Sequence, residues 1–244
     1  SGYSNASLTD CVLHNATART YGPDAMALGG TVLGRDHALV TMANVTISHG
    51  SVHSELNRAA GAAWVMEGFS TIVFTDSRIT YANAWARLSA LGGATAHYLH
   101  SVGVLTNVEI LHTRTVAYAQ TVKGGCISTV QRDARALRTR PSSHFGWMCV
   151  RAVLQAYSLT NLTNVLVVNS TIISAAANAF GAVSTANSPG SHINWENVTT
   201  IDTFVYTQTN LGSAYSAVLS LSGTTARLSN CNFSRASVFS PGTT

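Results

Sequence analysis

The residues best suited to chemistry are His49, Asp76 and His112, each of which closes a short run of β-prone residues. If these runs lie on neighbouring strands, the carboxylate of Asp76 would lie near both imidazoles and raise their pKa values. Such a group could transfer protons or hold a metal ion, with Arg78 or Arg114 beside it. The alternative is structural, because polar side chains at strand ends can hydrogen-bond one another. We expect the structural role, and therefore no catalytic residue, no metal site and no cofactor.

Acidic residues are too scattered to indicate a sugar-cleaving enzyme. A glycosidase needs two carboxylates about 5 to 9.5 Å apart, and a lyase generally needs bound Ca²⁺ or a basic residue. The chain has ten acidic residues, and no two are adjacent in sequence. We therefore expect a non-enzymatic protein. A polysaccharide lyase or glycoside hydrolase is the alternative.

The elements that would position these residues repeat along the chain. Seven six-residue phrases begin with a mostly polar residue and close on Asn, His or Asp: DCVLHN (10–15), NVTISH (44–49), TIVFTD (71–76), NVEILH (107–112), NVLVVN (164–169), NVTTID (197–202) and RLSNCN (227–232). Glycine phrases alternate with them: LGGTV (28–32), AGAAW (60–64), LGGAT (91–95), KGGCI (123–127), FGWMC (145–149), FGAVS (180–184) and LGSAY (211–215). The fourth and fifth strand phrases start 57 residues apart, which predicts a degenerate copy around Asp133 to Arg138.

A unit of about 30 residues with short β runs and glycine turns cannot bury an apolar face alone, so successive units must stack. The repeat predicts an all-β fold, a right-handed parallel β-helix (solenoid) of about seven to eight coils, as a single domain over residues 1–244. An Arg-rich irregular insertion is predicted at about 130–144. An antiparallel β-sandwich is the alternative, but it predicts hairpins without a 30-residue register.

The polar residues that close the phrases are predicted to stack as a structural ladder. Its members are Asn15, His49, Asp76, His112, Asn169, Asp202 and Asn232. Like side chains inside the coils should stack too, with Val45, Ile72, Val108, Val165, Val198 and Leu228 in one column and Ile47, Phe74, Ile110 and Val167 in the next.

Seven Asn-x-Ser/Thr sequons indicate a secreted glycoprotein. Asn15, Asn169 and Asn232 cannot both pack in the ladder and carry a glycan. We therefore predict N-glycosylation at Asn5, Asn44, Asn161 and Asn197.

The four cysteines match neither a zinc site nor a redox pair, since no Cys-x-x-Cys spacing occurs. Cys126 and Cys149 each follow a glycine phrase and flank the Arg-rich segment, so a disulfide between them is predicted. Cys11 and Cys231 are expected at opposite ends of the stack, as buried thiols or as residues that meet across a junction between molecules.

The phrase pairs LGGTV with NVTISHGSV and LGGAT with NVEILHTRTV resemble the repeats of the polymorphic outer membrane protein family. That family combines a Gly-Gly-Ala-Ile-like phrase with a Phe-x-x-Asn-like phrase. The likeness extends over most of the chain, although its second phrase rarely contains Phe. The resemblance implies a β-helical surface or passenger segment with an adhesive or structural role, and it implies no catalytic residues.

Function and partners follow from this architecture. No apolar stretch reaches the roughly 18 residues of a membrane span, so we expect no direct membrane insertion. The basic residues between Lys123 and Arg151 are not interleaved with aromatic residues as a single-strand nucleic-acid groove would need, so we expect no nucleic-acid partner. No cap is evident outside the first and last phrases, and unprotected solenoid ends invite pairing. We expect an extracellular or cell-surface protein that associates with itself head to tail into a filament, or forms part of a longer surface protein. Glycans are a further class of partner, through Tyr81, Trp85, Tyr118 or Trp195.

Overall fold

The computed structural model describes residues 3–22, 25–119, 122–123, 127–130, 158–175, 178–186, 190–208, 213–221 and 223–241. These residues contain short strands and no helix. Every strand pairing among them is parallel. The chain is a parallel β-solenoid, which confirms the fold class predicted from the repeat.

Each coil has five faces, formed by strands that stack on their equivalents in the next coil. The first face contains Ser4–Thr9, Ala38–Ala43, the first halves of Thr71–Thr80, Val102–Leu111 and Leu159–Val168, and then His192–Glu196 and Thr225–Ser229. The second face contains Val12–His14, Thr46–Ser48, the second halves of those three long strands, and the first halves of Thr199–Thr207 and Asn232–Phe239. The third face contains Thr17–Thr20, Ser51–Ser54, Asn83–Ala86, Arg114–Ala117, Thr171–Ser174 and the second halves of Thr199–Thr207 and Asn232–Phe239.

Two six-stranded sheets close the coil on its other side. The fourth face contains Ala27–Leu28, Arg58–Ala60, Ser89–Leu91, Val122–Lys123, Ala179–Phe180 and Ala214–Tyr215. The fifth face contains Val32–Gly34, Trp64–Met66, Thr95–Tyr98, Ile127–Val130, Ser184–Ala186 and Leu219–Leu221. We number the coils 1 to 7 along the chain. Among the described residues, coil 7 has strands on the first three faces only.

The solenoid makes about six turns, slightly fewer than the predicted seven to eight coils. The difference arises at the long spacing, where Thr106 of coil 4 pairs directly with Thr163 of coil 5. No degenerate coil therefore lies between them. The predicted Arg-rich insertion beyond Val130, together with Cys126 and Cys149, lies outside the described residues.

Interior columns of like side chains form the core, as predicted, but their register differs at some members. The column of Val45 continues through Ser77 to Val108, Val165 and Val198, with Cys11 and Cys231 at its two ends. Ile72 and Leu228 were therefore assigned to the wrong column. Phe74 was also misassigned, because Ile79 is the residue that stacks between Ile47 and Ile110.

Four glycine phrases, LGGTV, AGAAW, LGGAT and FGAVS, form the corner that follows the fourth face, and the glycines of the other three lie outside the described residues. Gly29 and Gly61 have φ angles of 59°, a left-handed conformation in which glycine carries no side-chain penalty. The alignment of FGAVS (180–184) with LGSAY (211–215) is out of register by four residues, because Phe180 pairs with Tyr215 and not with Leu211. No helix in the described ranges is long and apolar enough to cross a membrane.

Candidate functional site

A first ladder of polar side chains occupies the corner between the first and second faces. Its members come from seven successive coils: Asp10, Asn44, Asp76, Asn107, Asn164, Asn197 and Asn230. Along much of the ladder, the amide Nδ2 of one coil donates to a side-chain oxygen of the coil before it. The donor–acceptor distances are 2.6 Å from Asn44 to Asp10, 2.7 Å from Asn107 to Asp76, 2.9 Å from Asn164 to Asn107 and 3.0 Å from Asn197 to Asn164.

A left-handed backbone explains why this corner selects Asn and Asp. Asn107 has a φ of 54° and Asp76 a φ of 49°. Among residues with side chains, Asn and Asp tolerate this conformation best, because their short polar groups can hydrogen-bond locally. Conformation and side-chain pairing therefore favour the same residue types.

A second ladder lies five residues further along each coil, at the corner between the second and third faces. Its members are Asn15, His49, Tyr81, His112, Asn169, Asp202 and Arg235. This is the ladder predicted from the phrases, with two corrections. Asp76 belongs to the first ladder, and Asn232 lies on the second-face strand beside Thr199.

These corrections change the proposed acid-base group. Tyr81, not Asp76, lies between the two imidazoles, with ring centroids 4.8 Å from His49 and 4.9 Å from His112. Asp76 instead accepts a hydrogen bond from Asn107. The nearest arginine in sequence, Arg78, donates to Glu109 at 2.6 Å. The residues that sequence reasoning grouped around one carboxylate are thus divided between two corners.

A shallow polar groove of about 390 Å³ surrounds Asp76. Its lining includes Asn44, Asn107 and the Arg78–Glu109 ion pair. The charged groups of the groove are already paired or hydrogen-bonded within the coil stack. Among the described residues, no group of three or more His, Cys, Asp or Glu side chains is placed to hold a metal ion.

Aromatic rings form stacks on the outside of coils 1 to 4, a feature that the phrase alignment did not reveal. In one stack, His37, Phe69 and His100 lie nearly parallel, with centroid separations of 5.2 and 4.6 Å. In another, Trp85 lies 3.9 Å from His53 and 5.3 Å from Tyr118. These stacks arise because equivalent positions of adjacent coils are one strand spacing apart.

Of the predicted glycan-contacting aromatics, three lie at the surface. Tyr81 and Tyr118 are exposed and Trp85 is half-buried, whereas Trp195 is 1% exposed and belongs to the core. The Trp85 stack continues into a charged group, since Glu55 accepts hydrogen bonds from Arg19 and His53. These bonds, led by that from Arg19, lower the pKa of Glu55.

One histidine, His97, is completely buried between the faces. Neither of its ring nitrogens has a hydrogen-bond partner among the described residues. Burial lowers the pKa of His97 to about 4, because the charged imidazolium is poorly solvated in the core. Gly103 makes room for the ring, since a Cβ there would lie 2.4 Å from Cε1 of His97.

The structure places in the ladders some sequon asparagines that were predicted to lie at the surface, and the reverse. Asn44 and Asn197, two of the predicted acceptors, are first-ladder residues whose Nδ2 atoms donate hydrogen bonds. Asn161, also predicted, accepts a hydrogen bond from Asn194 at 2.9 Å. Asn5 and Asn232 lie exposed on strands, outside both ladders. The conflict between stacking and carrying a glycan thus applies to Asn44 and Asn197 as well as to Asn15 and Asn169 of the second ladder.

The two end coils expose side chains of interior columns. In coil 7, Leu228 is 44% exposed and Phe233 is 42% exposed. The residues below them in the same columns, Trp195 and Thr200, are buried. In coil 1, Leu8 and Leu13 are partly buried and pack against the core from one side. Each end therefore presents an incompletely covered core together with strand edges that lack a partner among the described residues.

The signal that could have found both ladders is a pair of corner residues five positions apart. Five of the seven phrases have this pair at their first and last positions. The other two were out of register, and DSRITY (76–81) and NCNFSR (230–235) are their true equivalents. Comparison with protein-family models, curated proteins and solved structures gives no match.

Proposed function

We propose that the chain is a non-enzymatic extracellular structural or adhesive protein, whose coil 7 stacks on coil 1 of a second copy to build a filament. The observation that carries this proposal is the match between the two ends of the stack. Three interior columns begin on Leu8, Leu13 and Ala18 in coil 1 and end on Leu228, Phe233 and Val238 in coil 7, so apolar residues lie at both ends of each.

The apolar contacts of the junction can be named from the register. Continuing each column by one coil places Leu228 over Leu8, Phe233 over Leu13 and Val238 over Ala18 of the next copy. Covering these half-exposed side chains removes apolar surface from water, at about 25 cal/mol per Å².

The polar contacts of the junction have an internal precedent. Asn230 would lie over Asp10 of the next copy, and Asn44 already lies beside Asp76 in this way within the chain. The unpaired backbone groups of the two end coils would form parallel ladder hydrogen bonds on the first three faces. Since a heterologous contact of this kind does not close on itself, repetition produces an open filament.

The surface location has independent support from the sequence. The resemblance to polymorphic outer membrane protein repeats and the seven sequons both favour a secreted or cell-surface protein. On the basis of this resemblance we propose a surface location and an adhesive or structural role.

Analytical ultracentrifugation and negative-stain electron microscopy of the purified chain test the proposal. We expect concentration-dependent growth of species in steps of 25.6 kDa and rods of constant width. A chain that remains monomeric at millimolar concentration, with its end-coil amides protected from hydrogen exchange, would contradict it. Measurable release of reducing ends or unsaturated products from a polysaccharide panel would favour the enzymatic alternative.

Glycan contact is a second proposed activity of the same surface, favoured by the Trp85 stack. Flat, partly exposed rings at one strand spacing suit contact with the apolar faces of sugar rings. Affinity electrophoresis against soluble polysaccharides is the test, with Trp85→Ala and Tyr118→Ala as site variants and Phe204→Ala as a control. We expect the two site variants to lose retardation and the control to keep it. Equal retardation of all three variants would show that the Trp85 stack is not the glycan contact site.

A further inference from the structure

Cys11 and Cys231 occupy the two ends of a single interior column. The register runs from Cys11 through Val45 and Ser77 in coils 2 and 3, and reaches Cys231 in coil 7 from Val198 in coil 6. The two cysteines are partly buried and pack against the core. Cys11 and Cys231 therefore occupy the same position in their respective coils.

The two thiols cannot meet within one chain. Six coil steps separate them, and at about 4.8 Å per step this is roughly 29 Å, far beyond the Cα separation of a disulfide. In a head-to-tail stack, by contrast, Cys231 of one copy and Cys11 of the next lie one step apart. A Cα spacing of about 4.8 Å falls within the roughly 4.4 to 6.8 Å range of disulfides.

We propose, on the basis of the proposed end-to-end function, that Cys231 of one copy and Cys11 of the next form an intermolecular disulfide that locks the filament in coil register. The oxidant is a low-molecular-weight disulfide. One protein thiolate attacks it and releases one small thiol, and the second protein thiolate then displaces the other, so that one disulfide is reduced for each protein disulfide formed.

The bond has a physical role at this position because the junction is incomplete. Coil 7 has described strands on three of the five faces, so an intermolecular step has fewer ladder hydrogen bonds than an internal step. A covalent bond between Cys231 and Cys11 makes the association independent of concentration. It also fixes which coil levels face each other.

The test uses the full chain with Cys126→Ser and Cys149→Ser, so that only the two column thiols remain. It is incubated with oxidised glutathione, with or without later reduction, and followed by non-reducing electrophoresis, peptide mass spectrometry and light scattering. We expect multiples of 25.6 kDa, a Cys11–Cys231 linked peptide, and oligomers that survive 100-fold dilution only when oxidised. Cys11→Ser and Cys231→Ser should each abolish the covalent series.

The outcomes separate this proposal from the proposed function. Stacking seen by light scattering without the linked peptide would overturn the disulfide and leave end-to-end assembly standing. Peptides that link Cys11 to Cys11, or Cys231 to Cys231, would also overturn it, because they require a different register. A monomer under both oxidising and reducing conditions would overturn both proposals.

Discussion

Asn107 donates a hydrogen bond from Nδ2 to Oδ1 of Asp76 at 2.7 Å and accepts one from Asn164 at 2.9 Å. Its left-handed φ of 54° is the second requirement of the position. Asn107→Gly keeps the conformation and removes both bonds, so we expect it to lower the free energy of unfolding by about 1 kcal/mol. Asn107→Ala adds the cost of a left-handed alanine, for a total of about 2 kcal/mol.

Urea unfolding measures both variants, with exposed Arg114→Ala as the control. We expect Asn107→Gly to lose less unfolding free energy than Asn107→Ala. If alanine were as stable as glycine, the corner would not depend on backbone conformation.

The corner residues also show how far the sequence leads. Asn107 and His112 were predictable because they delimit a phrase with β-prone residues between them. Asp76 was misplaced because TIVFTD has the same alternation as the true phrase and because its strand, Thr71–Thr80, continues through the corner. Tyr81 was missed because a tyrosine with a φ of 55° is uncommon, and its ring stacking between His49 and His112 depends on neighbours more than 30 residues away.

Buried His97 predicts a loss of stability in mild acid. Its pKa is about 4 in the folded chain, against an ordinary value of 6.5. Because the unfolded chain binds the proton first, the contribution is complete above pH 6.5 and is lost as the pH falls toward 4. A difference of this size corresponds to about 3 kcal/mol.

His97→Met, which matches the neighbouring Met66 in its column, should remove this part of the pH dependence. Chemical denaturation at pH 7 and pH 4 measures it, with exposed His192→Gln as the control. If His97→Met loses as much unfolding free energy between pH 7 and pH 4 as the wild type, the acid sensitivity comes from other groups.

The contact between Gly103 and His97 predicts coupling between two faces. Gly103→Ala would push a methyl group against the buried ring and should destabilise the chain by roughly 1 to 3 kcal/mol. In the His97→Ala background the added methyl group has space, so the same change should cost much less. A double-mutant cycle from denaturation midpoints measures the coupling, and additive effects would contradict the packing described above.

Phe233 predicts the most direct effect on assembly. Phe233→Glu places a carboxylate in the apolar column of coil 7 and should abolish growth in sedimentation velocity while leaving the monomer folded, since the side chain is already 42% exposed. Phe204→Glu is the matched control, because Phe204 is 38% exposed on the outside of the stack. If both variants assemble equally well, the ends are not the site of association.

The direct pairing of coil 4 with coil 5 has a consequence for how such a chain can change. First-ladder residues are otherwise 31 to 34 positions apart, yet Asn107 and Asn164 are separated by 57 and still share a hydrogen bond. The corner between the fifth and first faces therefore admits extra sequence without loss of register. A peptide grafted between coils 4 and 5 should therefore leave the strand pairing of these two coils unchanged.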